Sequence, residues 1–198
     1  AMATCASLQQ AVGLLNLARR LLGSTLTGFE VMNGFSRAIV AQHMTQIRQA
    51  LGAQEDRPMP DWTVLLEQSD EESEQHAQQR LEGLLETALE AGLIDDAAVA
   101  QSLAESREFW HLREAIPLAQ SMEGLNIKHD ISIPVSRIPA FVQRCDAALM
   151  HYAPGVRMVN FGHLGDGNLH YNVQAPLGVD AADFLKEHET SVNQIVFD

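Results

Sequence analysis

Apolar residues recur every three or four positions through Leu8, Val12, Leu15, Ala18 and Leu22, with Gly23 just beyond them. That spacing predicts an amphipathic helix over 7–22 with a glycine stop. The period then changes. Leu26 to Met32 is short, rich in β-formers and bounded by Gly23 and Asn33-Gly34, so 26–32 reads as a strand. Phe35, Ile39, Met44 and Ile47 predict a second helix running to about Leu51, followed by a polar, proline-marked loop at 53–60 and a strand at 61–67. Ser69 precedes Glu72 by three residues, a capping-box spacing that predicts a helix over 70–92 with Asp70, Glu71 and Glu74 in its dipole-favoured first turn. A short strand at 99–102, a helix at 105–118, an alternating strand at 127–134 and a helix at 137–152 follow. Residues 156–173 read as two strands about a glycine-rich turn, and 181–196 as a last helix.

Alternating strands and a hairpin argue against strictly parallel crossovers. They predict an α+β domain, an antiparallel β-sheet with helices packed on one face. At 198 residues this is a single domain over 1–198. A net charge of −13, from 26 acidic and 13 basic side chains, repels nucleic acid and anionic membrane surfaces. Arg19 and Arg20 interrupt the longest apolar stretch, so no membrane insertion is expected. Cys5 and Cys145 lie far apart without metal-type spacing and read as free thiols of a reducing compartment, with the cytoplasm as the expected location. Ala1 ahead of Met2 reads as a residue added before a start codon, the mark of a piece taken from something larger.

The chemistry concentrates in Asn160 to Asn172. Gly165, Asp166, Gly167 and Asn168 tolerate positive φ and suit a tight hairpin loop. A four-residue loop would place Leu164 opposite Leu169 and His163 opposite His170, close enough for both imidazoles to hold one cation. Asn172, two residues past His170, projects from the same strand face. Two histidines leave such a site open and incomplete, since a catalytic zinc takes three protein ligands. The alternative is a pair of hairpin histidines satisfied by hydrogen bonds.

This hairpin, with Phe109-Trp110-His111-Leu112-Arg113-Glu114-Ala115-Ile116-Pro117 and Lys128-His129-Asp130-Ile131-Ser132-Ile133-Pro134, resembles the C-terminal substrate domain of the FAD-linked D-2-hydroxy-acid dehydrogenases and oxidases, from about Leu26 onward. The family includes D-2-hydroxyglutarate dehydrogenase, the FAD-linked glycolate oxidase subunit and D-lactate dehydrogenase. The resemblance implies a ferredoxin-like substrate domain. It implies that Arg113 binds the substrate carboxylate, where the alternative is a surface salt bridge to Glu114 or Glu105. It implies that Lys128 is a second cation near the same anion, where the alternative is an ordinary strand-end lysine. It makes His163 and His170 metal ligands and Asn172 a substrate contact. The metal would polarise the 2-hydroxyl while hydride passes from C2 to the flavin. His129 and Asp130 are left outside this set, because only one of two adjacent strand residues faces a pocket.

The implied partners are a small 2-hydroxy acid and a flavin-binding domain of the parent chain, with a homodimer through the surface that met it as a further option. FAD would sit on that other domain, since the residues before Leu26 are too few to form one. The divalent metal is taken as zinc, although iron and nickel suit two imidazoles equally. The family's third metal ligand and its base belong to a segment beyond Asp198, so no catalytic residue is expected in this stretch and the chain alone should be silent. A free-standing carboxylate- or metal-binding module would share Arg113, Lys128 and the histidines. A structural subunit would need none of their chemistry. A predominantly acidic protein handling an anion is expected to gather positive charge at Arg113, Lys128 and the histidine pair.

Overall fold

The computed structural model describes residues 1–47 and 59–198. The second helix, expected to reach about Leu51, already ends at His43, and most of the 53–60 loop lies outside the described residues. In chain order the elements are β1 (Met2–Cys5), α1 (Leu8–Leu22), β2 (Leu26–Asn33), α2 (Gly34–His43), β3 (Trp62–Gln68), α3 (Glu74–Glu90) and β4 (Asp96–Ala98). Then follow α4 (Leu103–Glu114), α5 (Ile116–Met122), β5 (Asn126–Ile127), β6 (Asp130–Ser132), α6 (Ile138–Tyr152), β7 (Arg157–His163), β8 (Asn168–Gln174) and α7 (Ala181–Phe197).

The strands form one antiparallel sheet in the order β4-β1-β3-β2-β7-β8-β5, with β6 also paired to β8. Within it, β1-α1-β2 and β3-α3-β4 interleave as β4-β1-β3-β2, the ferredoxin-like arrangement. The hairpin β7-β8 and the short strands β5 and β6 extend that unit from the edge of β2.

The α+β class and the antiparallel sheet agree with the sequence reading; the placing of helices on one face alone does not. Alternate residues of β3 serve two cores. Val64 and Leu66 pack with residues of α1, α3, α6 and α7, whereas Leu65 packs with residues of α2, α4 and α5 on the opposite face. The unbroken apolar run Val64-Leu65-Leu66 is what a strand covered on both faces requires.

Met2 to Cys5 form a buried strand one place in from the edge of the sheet, with Met2 between Leu65 and Ala98. Ala1 continues the ladder, its nitrogen donating to the Leu66 carbonyl at 2.8 Å. The cap of α3 is Ser73, whose hydroxyl accepts from the His76 amide; Asp70 instead accepts from the Glu72 amide in a turn before the helix. The strand expected at 99–102 lies at Asp96–Ala98. The helix expected over 105–118 breaks after Glu114, because Pro117 lacks an N–H and its ring would strike the carbonyl four residues back, that of Arg113. Cys5 and Cys145 are free and buried, and burial, aided by the charge of Asp95, pushes the Cys5 thiol up to about 12. Among the described residues no helix is long and apolar enough to cross a membrane.

Candidate functional site

Helix α4 brings Arg113 to the second face of the sheet. Ser102 caps the helix by accepting from the Glu105 amide. Phe109, Trp110 and Arg113 stand at the three- and four-residue spacings that share one helical side. Phe109 and Leu112 are buried, and the Trp110 indole donates to Glu67 of β3 at 2.7 Å. The Trp110 ring lies close over Gly28, where an added Cβ would come 3.3 Å from it, so that glycine leaves room for α4 to dock on β2.

Arg113 then meets Glu30, in the middle of β2. Its Nε donates to Glu30 Oε2 at 2.7 Å, and its guanidinium lies 4.7 Å above the centre of the Phe161 ring. Glu30 is 0% exposed and the Arg113 side chain 11%, so the partner is a buried carboxylate and not the surface acids Glu114 or Glu105. The two terminal nitrogens of Arg113 have no hydrogen-bond partner among the described residues.

The hairpin is real, but its register differs from the one expected. Residues 164–166 wind into a 3-10 turn and Gly167 is left-handed, so the ladder closes with Phe161, not His163, opposite His170. His163 instead stands opposite Glu30 on the other neighbouring strand, β2, and its Nδ1 contacts Glu30 Oε1. The two histidines remain on one sheet face as diagonal neighbours, which ordinarily lie about 7–8 Å apart with their Cβ atoms somewhat nearer. The Phe161 ring packs 4.7 Å from that of His170.

Asp130, set aside in the sequence reading, lies opposite His170 on β6 and its Oδ1 is 2.5 Å from His170 Nδ1. His129 turns to the opposite face of the sheet, the one covered by α7. There its Nδ1 meets the Tyr171 carbonyl at 2.7 Å and its Nε2 meets Asn193 of α7 at 2.9 Å. The pairings Ile127↔Val173 and Asp130↔His170 share one register, which places exposed Lys128 opposite Asn172 on the same face as the histidines. Asn172 is buried beneath this surface. Its oxygen accepts from the His129 amide at 3.2 Å and its nitrogen donates to Gln120 at 2.9 Å, leaving one donor and one acceptor position without a partner among the described residues.

One sheet face thus gathers Glu30, Arg113, Lys128, His163, His170 and Asp130. Each histidine has Nδ1 against a carboxylate and Nε2 without a partner among the described residues. That suits a pair of metal-ligating imidazoles, whose second nitrogen is commonly held by a carboxylate. No group of three His, Cys, Asp or Glu residues that could hold a metal occurs among the described residues, so the donor set present is two nitrogens. The expected local excess of positive charge is smaller than the sequence implied, because Glu30 answers Arg113. Glu30 and Asp130 are the residues that sequence reasoning missed. An acid inside the apolar run Phe29-Glu30-Val31-Met32 was the available signal for the first.

Several characterised proteins are similar to this chain. A D-2-hydroxyglutarate dehydrogenase from Xanthomonas citri pv. viticola is 40% identical over 99 residues, half of this chain and 21% of its own length. The mitochondrial D-2-hydroxyglutarate dehydrogenases of Arabidopsis thaliana and Bos taurus are each 32% identical, over 82% and 85% of this chain. This chain spans 27% and 29% of those two proteins, so about a quarter of the length of its relatives. The family model described as FAD linked oxidases, C-terminal domain, matches residues 1–195, which carries the likeness back from Leu26 through β1. A chain matched over nearly its whole length in this way belongs to the FAD-linked oxidase C-terminal domain family.

Proposed function

We propose that the second face of the sheet is the substrate-binding surface of a flavin-dependent oxidoreductase that oxidises a D-2-hydroxy acid to the 2-oxo acid, with FAD held by another domain of a longer chain. The observation that carries this reading is Arg113. It is nearly buried, gripped at Nε by Glu30 and laid over Phe161, and its terminal nitrogens are unpartnered among the described residues. A planar guanidinium held by one edge is a preset donor for a carboxylate, needing little further ordering on binding. Lys128 adds an exposed second charge on that face, and Asn172 lies below it. The names of the relatives support a 2-hydroxy acid as the substrate class.

His163 and His170 would hold a divalent metal through Nε2, with zinc suited to imidazole donors. When bound, such a cation polarises the 2-hydroxyl, and the flavin accepts the hydride. The contribution of this chain is to bind and orient the substrate, its carboxylate at Arg113 and Lys128 and its hydroxyl toward the histidines. On this reading the chain alone binds ligand without turning it over.

Calorimetric titration with Zn²⁺ should show binding that His163→Ala and His170→Ala each weaken at least about tenfold. Unchanged affinity in both variants removes the metal from the reading. D-2-hydroxyglutarate titrated into the Zn²⁺-loaded chain should bind at least about tenfold more weakly to Arg113→Lys, which keeps the charge but loses the bidentate fork. Equal binding would dismiss Arg113 as the anchor.

A further inference from the structure

A cleft of about 1040 Å³ opens away from the proposed substrate surface, between the N-terminal ends of α1 and α2 and the first half of α6. None of Arg113, Lys128, His163, His170 and Asn172 lines it. Asn160 of β7 does, and it is only 1% exposed. Neither its Nδ2 nor its Oδ1 has a hydrogen-bond partner among the described residues. A buried carboxamide with both ends unpaired is uncommon in a folded protein and calls for a ligand or water that completes it.

Asn160 stands between two kinds of charge. Its backbone amide donates at 3.3 Å to Asn33 Oδ1, the side chain that caps α2. Across the ladder it faces Tyr171, whose hydroxyl donates to Asp146 Oδ1 at 2.5 Å. Asp146 also lines the cleft, and burial pushes its carboxyl up, with the Tyr171 bond opposing and no cation beside it among the described residues. At the helix ends the polarity reverses. Leu8 and Gln9 open α1 and Phe35 is the second residue of α2; all three line the cleft at positions whose amides have no partner within the helix. Such an end carries about half a positive charge and suits an anion. A simple anion would also meet Asp146 and the exposed Asp61, and a simple amine would meet the helix ends. A ligand bearing both charges matches both. Trp62 and Val142 add apolar wall to the same cleft.

We propose that this cleft binds an apolar α-amino acid as its zwitterion, with the carboxylate at the N-termini of α1 and α2, the ammonium at Asp146, and Asn160 hydrogen-bonded to both. Its carboxamide supplies one donor and one acceptor side, which is what a carboxylate and an ammonium on one carbon require.

The test titrates the intact chain with leucine and with phenylalanine, each against its decarboxylated amine and its deaminated acid. An amino acid should bind with millimolar or tighter affinity and shift the ¹H–¹⁵N resonances of Leu8, Gln9 and Phe35. The two single-charge analogues should bind at least about tenfold more weakly, since each leaves one half of the site unmatched. Asp146→Asn, which can still accept from Tyr171, and Asn160→Ala should each weaken the amino acid at least about tenfold. The proposal is overturned if neither amino acid binds, if the amine or the acid binds equally well, if Asp146→Asn leaves the affinity unchanged, or if the shifts fall only on other amides. Should either variant not fold, the comparison of ligands and the shifts in the wild-type chain decide.

Discussion

Arg113→Met is expected to destabilise the chain by about 3–5 kcal/mol, the cost of leaving a buried charge without its partner. The residue looks dispensable for folding because it sits at the edge of the proposed binding surface. Its loss, however, leaves Glu30, which has no exposure and cannot turn to water, with only the contact of the exposed His163. Glu30→Met should be milder, since Arg113 retains 11% exposure and a long stem by which to reach solvent. The double variant Glu30→Met/Arg113→Met should recover most of the loss, because a packed apolar pair commonly replaces a buried ion pair at little or no cost. Urea unfolding of the four chains gives the coupling directly. A loss below about 1 kcal/mol in Arg113→Met, the range of an exposed pair, would show that Glu30 is not held by Arg113 and would take the preset guanidinium with it.

How far the sequence disclosed this site follows from the range of its interactions. Helix α1 was readable because its period runs unbroken from Leu8 to Leu22, and the hairpin because Gly165 to Asn168 combine turn chemistry in one short stretch. Strand β1 is too short to show a period, and only its pairing with β3 and β4 reveals it. The face shared by His163 and His170 was foreseen, but their register was not. The residues of the 3-10 turn move His163 out of the β8 ladder and onto β2, and nothing local in the hairpin encodes a neighbour so distant in sequence. Glu30 was passed over for the same reason. A polar residue in a strand is ordinarily solvent-facing, and only the arrival of α4 over β2 makes this one a buried partner of Arg113. The sequence reading leaves out both His129 and Asp130, although alternation along a strand removes only one of them; His129 turns to Tyr171 and Asn193, and Asp130 to His170.

Gly167→Ala is expected to cost about 2–5 kcal/mol, combining about 1–2 for a left-handed residue with about 1–3 for overpacking. Gly167 has φ +73°, and a Cβ built on it would run into the carbonyl oxygen of Ile133, whose amide donates back to the Gly167 carbonyl at 3.1 Å. Gly92 separates the two contributions. It has φ +64° with no atom within 4 Å of an added Cβ, so Gly92→Ala should pay the conformational cost alone. Asparagine tolerates the left-handed region, so Gly92→Asn should regain much of that loss. Gly167→Asn should not, because it carries the same Cβ into the same carbonyl. A Gly167→Asn chain as stable as wild type by thermal unfolding would show that the loop yields and that the contact with Ile133 does not fix it. The expected result ties the turn to the end of β6, and with it the strand that sets Asp130 opposite His170. If His163 and His170 hold Zn²⁺ as proposed, Gly167→Ala should also weaken its binding, although neither histidine is touched, whereas Gly92→Ala should leave it unchanged.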